Sequence, residues 1–158
     1  RLHAGYPRHA RPFPAGALVT ALPPRAPRTP RKSMNENEIG KVAVDAAFKI
    51  HSVLGAGLLE SIYESCLAYE LQKRGLQVKR QVSLPILYDD LKLDNAFRLD
   101  LLLDDKVVVE FKATDKLLPV HTAQLLSYLE LGQYKLGFVF NFNVVHMKDG
   151  IKRMVNGL

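Results

Sequence analysis

The chain has one cysteine, Cys66, in 158 residues. A single thiol closes no internal disulfide and builds no cysteine-rich zinc site, so a disulfide scaffold and a zinc ribbon are both excluded. Long apolar runs are missing too: residues 99–109 are broken by Asp100, Asp104, Asp105 and Lys106. A membrane helix needs about 20 apolar residues in a row, so no membrane span is expected. There is no glycine-rich phosphate loop, because Gly55 and Gly57 lie between two helical patterns and do not follow a strand. Internal repeats and coiled-coil heptads are absent as well. What is left, at 47% hydrophobic and 24% charged residues, is the composition of one ordinary domain able to bury its own core.

Acidic residues are absent from residues 1–33, which hold seven basic groups (Arg1, Arg8, Arg11, Arg25, Arg28, Arg31 and Lys32) and seven of the nine prolines. Proline removes backbone donors and breaks helices, so this segment is expected to be disordered. A basic arm on nucleic acid and an arginine-rich transit peptide are the competing readings. A secretory signal fits poorly, because Pro23 and Pro24 stand where small cleavage-site residues belong. With Arg1 in first place and the first folding periodicity starting after Met34, residues 1–33 read as a Pro/Arg-rich extension that need not be native, and residues 34–158 as the domain. The other 15 basic residues face all 16 acidic ones, so the domain carries a net charge of −1 although the chain carries +6. Phosphate binding by the domain then needs a local cluster or a bound metal, not a global field.

Apolar residues recur at helical spacing from Ile39 to Leu54 and stop at Gly55, which predicts a first helix over 37–54. A second follows at once, with Leu59, Ile62, Cys66, Leu67 and Leu71 on its apolar stripe and Lys73, Arg74 and Gly75 at its end. The period then changes to two. Strands are expected around 78–88, 97–103 and 107–113, a third helix over 120–131 after Pro119, a buried strand over 136–143, and an edge strand or turn over 144–155. Two helices, three or four strands, a helix and a strand make an α/β sandwich on a mixed sheet.

The segment 97–113 carries the chemistry. Phe97, Leu99, Leu101 and Leu103 are expected on one side of the first strand, and Arg98, Asp100, Glu110 and Lys112 occupy even positions of the two strands. Charges among leucines cost stability unless they are paired or used. If Leu103 meets Val107 and Leu102 meets Val108 across a three-residue loop, Asp100 lies opposite Glu110. Two carboxylates that close repel unless a cation stands between them, and a hard ion with oxygen ligands, Mg²⁺ or Mn²⁺, suits that place. Lys112 shares the face of Glu110, where its ammonium can hold a water or an anionic oxygen. The alternative use of the same residues is a surface salt-bridge ladder of Asp100, Glu110, Lys112 and Arg98.

Asp100 followed after nine residues by Glu110-Phe111-Lys112 resembles the signature of the PD-(D/E)xK nucleases, with Leu99 in place of the proline. Gly57-Leu58-Leu59-Glu60-Ser61-Ile62-Tyr63 resembles the motif of the GxxExxY proteins, a bacterial group of that superfamily. The resemblance covers about residues 38–156. It implies a restriction-endonuclease-like αβββαβ core and a Mg²⁺-dependent phosphodiesterase acting on nucleic acid, DNA first. Asp100 and Glu110 would hold the metal, Glu60 would complete its shell or accept a proton, and Lys112 would orient water. Glu60 also suits the first turn of a helix for purely local reasons; Glu64, one turn on, is the second choice for the acid. Gln124 and Tyr128 resemble the Q-x-x-x-Y element of RecB-like nucleases, which implies substrate contact alongside Arg98 and Tyr63. On a helix face the same pair, with His121 one turn earlier, also reads as simple solvent exposure.

His51 is a weaker candidate for the metal shell, His146 has no partner at ligand spacing, and Cys66 reads as a buried inert thiol. The expected setting is cytoplasmic, without a membrane, with a homodimer left open. The competing function is a nuclease-like module with little turnover that binds nucleic acid or protein.

Overall fold

A computed structural model describes residues 31–158; the expectations for residues 1–30, disorder, an arm or a targeting segment, lie outside the described residues. Helix α1 (Glu36–Leu54) starts where the sequence closes its own end. The Asn35 side chain accepts from the Glu38 N–H at 2.9 Å and the Glu38 carboxylate accepts from the Asn35 N–H at 2.8 Å, which satisfies two otherwise unpaired groups. Gly55 and Gly57, at φ +69° and +96°, then turn the chain through a region that glycine enters at little cost. Helix α2 (Glu60–Lys73) follows, and the Tyr63 hydroxyl fastens the turn by donating to Gly55 O at 2.6 Å and accepting from the Leu58 N–H at 3.1 Å.

Strands β1 (Val78–Tyr88) and β2 (Leu91–Leu103) form a hairpin, and β3 (Val107–Lys112) pairs with β2. Pro85, which has no N–H to give, sits where the β1–β2 register shifts between Leu84 and Ile86. Helix α3 (Pro119–Gly132) crosses over to β4 (Leu136–Asn141), which lies parallel to β3. A short 3₁₀ helix (Met147–Gly150) leads into the edge strand β5 (Ile151–Val155). The sheet runs β1-β2-β3-β4-β5, antiparallel everywhere except β3-β4, so the fold is the expected α/β arrangement of a mixed sheet flanked by helices. Among the described residues no helix is long and apolar enough to cross a membrane.

Two apolar clusters cover the two faces. Ile39, Ala43 and Ala47 of α1 and Tyr63, Leu67 and Leu71 of α2 pack on Leu101, Leu103, Val107, Val109 and Phe111. Leu125, Tyr128 and Leu129 of α3 pack on Leu99, Leu102, Val108 and Val139. The single-sided row expected for β2 is therefore corrected: Leu101 and Leu103 join the first cluster, Leu99 and Phe97 the second. The alternation slips by one at Asp100. Opposite it in the β1 register, between Arg80↔Leu101 and Val82↔Leu99, is Gln81, whose backbone is left-handed at φ +51°. A local irregularity in the paired strand thus divides β2 between the two faces of the sheet.

The face of α2 is also corrected. Leu59 is 71% exposed and Ile62 is exposed, while Tyr63, Glu64, Leu67, Ala68, Glu70 and Leu71 are buried. The buried face contains two carboxylates, each neutralised from another part of the fold or from the helix itself. Glu64 meets Arg80 at 3.0 Å, and Glu70 meets both Lys49 and Arg74 at 2.9 Å. The Lys49 and Arg74 hydrogen bonds hold the Glu70 carboxyl below its ordinary range.

Candidate active site

The β2–β3 connection is Asp104-Asp105-Lys106, with both aspartates at positive φ, +47° and +56°. Such short polar side chains enter the left-handed region more readily than most. This three-residue loop sets the register Leu103↔Val107, Leu102↔Val108 and Leu101↔Val109. The next step brings Asp100 opposite Glu110, and there side chains take the place of the backbone ladder. The Asp100 N–H donates to Glu110 Oε1 at 3.1 Å, and the Phe111 N–H donates to Asp100 Oδ2 at 2.8 Å. Each carboxylate is tethered to the other strand, so the two converge.

Glu110 is only 5% exposed. Burial, reinforced by the negative charge of Asp100, pushes its carboxyl up to about 8, while Lys112 opposes the shift. Lys112 is half-buried and forms no ion pair among the described residues, and Arg98 is exposed. The salt-bridge ladder that these residues could have formed is not made. No ion pair among the described residues offsets the repulsion that helps to raise the Glu110 carboxyl, and a cation between the two carboxylates would relieve it.

Glu60, the first residue of α2, reaches the same end of β3, where its Oε1 accepts from the Ala113 N–H at 3.1 Å. Among the described residues no three His, Cys, Asp or Glu side chains gather closely enough to hold a metal ion. The expected shell of Asp100, Glu110 and Glu60 is thus not assembled, because Glu60 is engaged with the backbone beyond β3. The donor set still fits a magnesium-like ion, which needs only one or two carboxylates and completes its shell with waters and substrate phosphate oxygens.

Glu64 lies closer to Asp100 in the hydrogen-bond network than Glu60 does. Its Oε2 accepts from Gln81 Nε2 at 2.9 Å, and the same nitrogen is 3.4 Å from Asp100 Oδ1. The sequence reading missed Gln81, because an alternating strand pattern gives no sign of a left-handed residue within it. Asn141 was missed as well. Fully enclosed, it accepts from the Thr114 and Asn143 N–H groups at 3.2 Å and donates to Thr114 O at 2.9 Å, which fixes the chain just after Lys112.

Tyr63 is fully buried and stacks on Phe142 with ring centroids 4.4 Å apart, so it fastens the α1–α2 turn and offers no surface to a substrate. Tyr128 is 4% exposed, packs against Phe97 at 5.0 Å and accepts a hydrogen bond from exposed Gln124 at 2.8 Å. Burial and then the Glu110 charge raise its phenol above the usual range, and the ring lies inside the protein and not on an exposed helix face. His121 Nδ1 accepts from the Leu118 N–H at 3.0 Å at the start of α3, and His51 Nε2 is bonded to Val144 O at 2.8 Å. Cys66 is a half-buried free thiol.

The family model described as the PD-(D/E)XK nuclease superfamily matches residues 37–154, which takes in the three helices and five strands to within a residue at either end. No curated protein and no solved structure matches the chain.

Proposed function

The chain belongs to the PD-(D/E)XK nuclease superfamily, and we propose that it hydrolyses phosphodiester bonds of nucleic acid, DNA in the first place, with Mg²⁺ or Mn²⁺ held by Asp100 and Glu110. The observation that carries this reading is the convergence of the two carboxylates across β2 and β3, one buried and pushed up to about 8, with Lys112, in no ion pair among the described residues, on β3 with Glu110. A bound divalent ion supplies positive charge to the phosphate and a water of lowered pKa. The chain supplies the rest. Lys112 orients the attacking water and offsets charge that builds on the phosphate. Glu60, whose carboxylate reaches from α2 to the end of β3, accepts a proton or holds the Ala113 turn that carries Lys112 into place. Arg98 and Gln124, both exposed, contact substrate, and Tyr128 accepts a hydrogen bond from Gln124 from inside. The resemblance of Gly57–Tyr63 to the GxxExxY motif supports reading the chain as one of those proteins within the superfamily.

The engagement of Glu60 with Ala113 favours one competing reading, a module that binds nucleic acid with little turnover. Incubation of supercoiled plasmid, single-stranded DNA and RNA with the full chain in Mg²⁺, Mn²⁺ or EDTA separates the two. Cleavage that requires the metal and falls about a hundredfold or more in Lys112→Ala supports the nuclease. Tight binding with no cleavage in any metal supports the module.

A further inference from the structure

We propose that Gln81 is a positioning residue: from a left-handed kink in the middle of β1, its side-chain amide holds the Asp100 carboxylate in the orientation that meets Glu110. The inference rests on the reading of Asp100 as a metal-holding carboxylate, and it concerns what keeps that carboxylate in place. A residue with a side chain is disfavoured at φ +51°, and the kink that divides β2 between the two faces leaves the pairs on either side, Arg80 with Leu101 and Val82 with Leu99, in register. The outlier stands directly opposite Asp100. One amide nitrogen of Gln81 faces two carboxylates, Glu64 Oε2 at 2.9 Å and Asp100 Oδ1 at 3.4 Å, and it carries two hydrogens to give.

Glu64 is the anchor of this arrangement. It is 7% exposed, and its other oxygen accepts from Arg80 Nε at 3.0 Å, while the Arg80 guanidinium also donates to Ser65 Oγ at 3.0 Å. With Arg80 and Gln81 both on it, Glu64 is committed to α2 and β1 and fixes the amide between them. Asp100 is then tethered at both oxygens, Oδ2 by the Phe111 N–H at 2.8 Å and Oδ1 by Gln81. The donor type matters. A lysine or arginine at position 81 would neutralise the carboxylate pair and compete with a metal ion, whereas a neutral amide orients Asp100 and leaves its charge in place.

The test uses the full chain and the Phe111 amide, whose bond to Asp100 Oδ2 reports the position of that carboxylate without any metal. Gln81→Gly keeps the left-handed backbone at little cost and removes the amide. Gln81→Asn keeps the amide and tolerates the backbone, but its shorter side chain does not span both carboxylates. In both variants hydrogen exchange at Phe111 should quicken about tenfold while helix amides such as Ala43 and Leu67 keep their wild-type rates. Mn²⁺ binding followed by paramagnetic resonance should weaken in parallel. Unchanged exchange at Phe111, or acceleration spread evenly over the helices, overturns the proposal. Wild type that fails to bind Mn²⁺, with Phe111 exchange quickened in the variants, overturns the metal reading and leaves Gln81 as the residue that holds Asp100.

Discussion

Glu110 is where the physical cost of the site concentrates. Its carboxyl is raised from 4.5 to about 8 by burial and by Asp100, so the folded state favours the neutral form. The sign follows from linkage: the contribution of a raised pKa is fully present below 4.5 and is lost as pH climbs through about 8. Without divalent metal, the melting temperature of the wild type should therefore fall across that window relative to Glu110→Gln, whose side chain does not titrate. A constant difference between the two melting curves at every pH would contradict the assignment. Asp100, Glu110 and Lys112 were legible in the sequence because charges among leucines and valines ask for a use, and the loop length sets which residues meet. Gln81 and Asn141 were not, since one acts through a backbone angle and the other through three bonds to main chain, and neither leaves a mark in spacing. The resemblance implied substrate contact for Tyr63, whereas its hydroxyl is taken up by the turn that the same glycines create.

At the scale of elements, α2 shows how charge conceals a buried face. Its apolar spacing points to Leu59 and Ile62, yet the helix turns Tyr63, Glu64 and Glu70 inward because Arg80, Lys49 and Arg74 are there to meet the carboxylates. A periodicity that counts only apolar residues cannot register a glutamate whose partner arrives from a strand 16 residues on. The pairing has a measurable consequence. Arg80→Met should lower stability by about 1–3 kcal/mol, since it leaves Glu64 enclosed with only the Gln81 amide, and the half-exposed arginine keeps the loss toward the smaller end. Adding Glu64→Gln to Arg80→Met should restore most of it in chemical denaturation. A single variant as stable as the wild type would mean that the ion pair does not hold α2 against β1. The order of the elements, by contrast, was open to reading throughout, because the switch from helical period to alternation and back falls at glycines, prolines and paired aspartates.

For the whole molecule, the distribution of charge decides how a substrate can be held. Residues 34–158 carry 15 basic and 16 acidic groups, and several of the basic ones are committed: Arg80 to Glu64, Lys79 to Asp105, and Lys49 and Arg74 to Glu70. Of those left, Lys112, Arg98 and Lys116 are the nearest in sequence to the site, so about three phosphate contacts are expected there. A chain beginning at Ser33 should bind duplex DNA with a log–log salt slope no steeper than about −3, at roughly 0.9 per phosphate, and the full chain with a steeper one. A slope as steep in the shorter chain as in the full one would reveal a basic surface on the domain itself. The measurement that tests the central claim most directly is the melting temperature of the full chain with and without millimolar Mg²⁺ or Mn²⁺, for the wild type and for Asp100→Asn. If Asp100 and Glu110 form one cation site, metal raises the melting temperature of the wild type, while Asp100→Asn melts higher than wild type in EDTA and gains nothing from metal. Wild type that does not respond to either ion, beside an Asp100→Asn variant that is simply more stable, would make the pair an electrostatic liability with no ligand and would contradict the account.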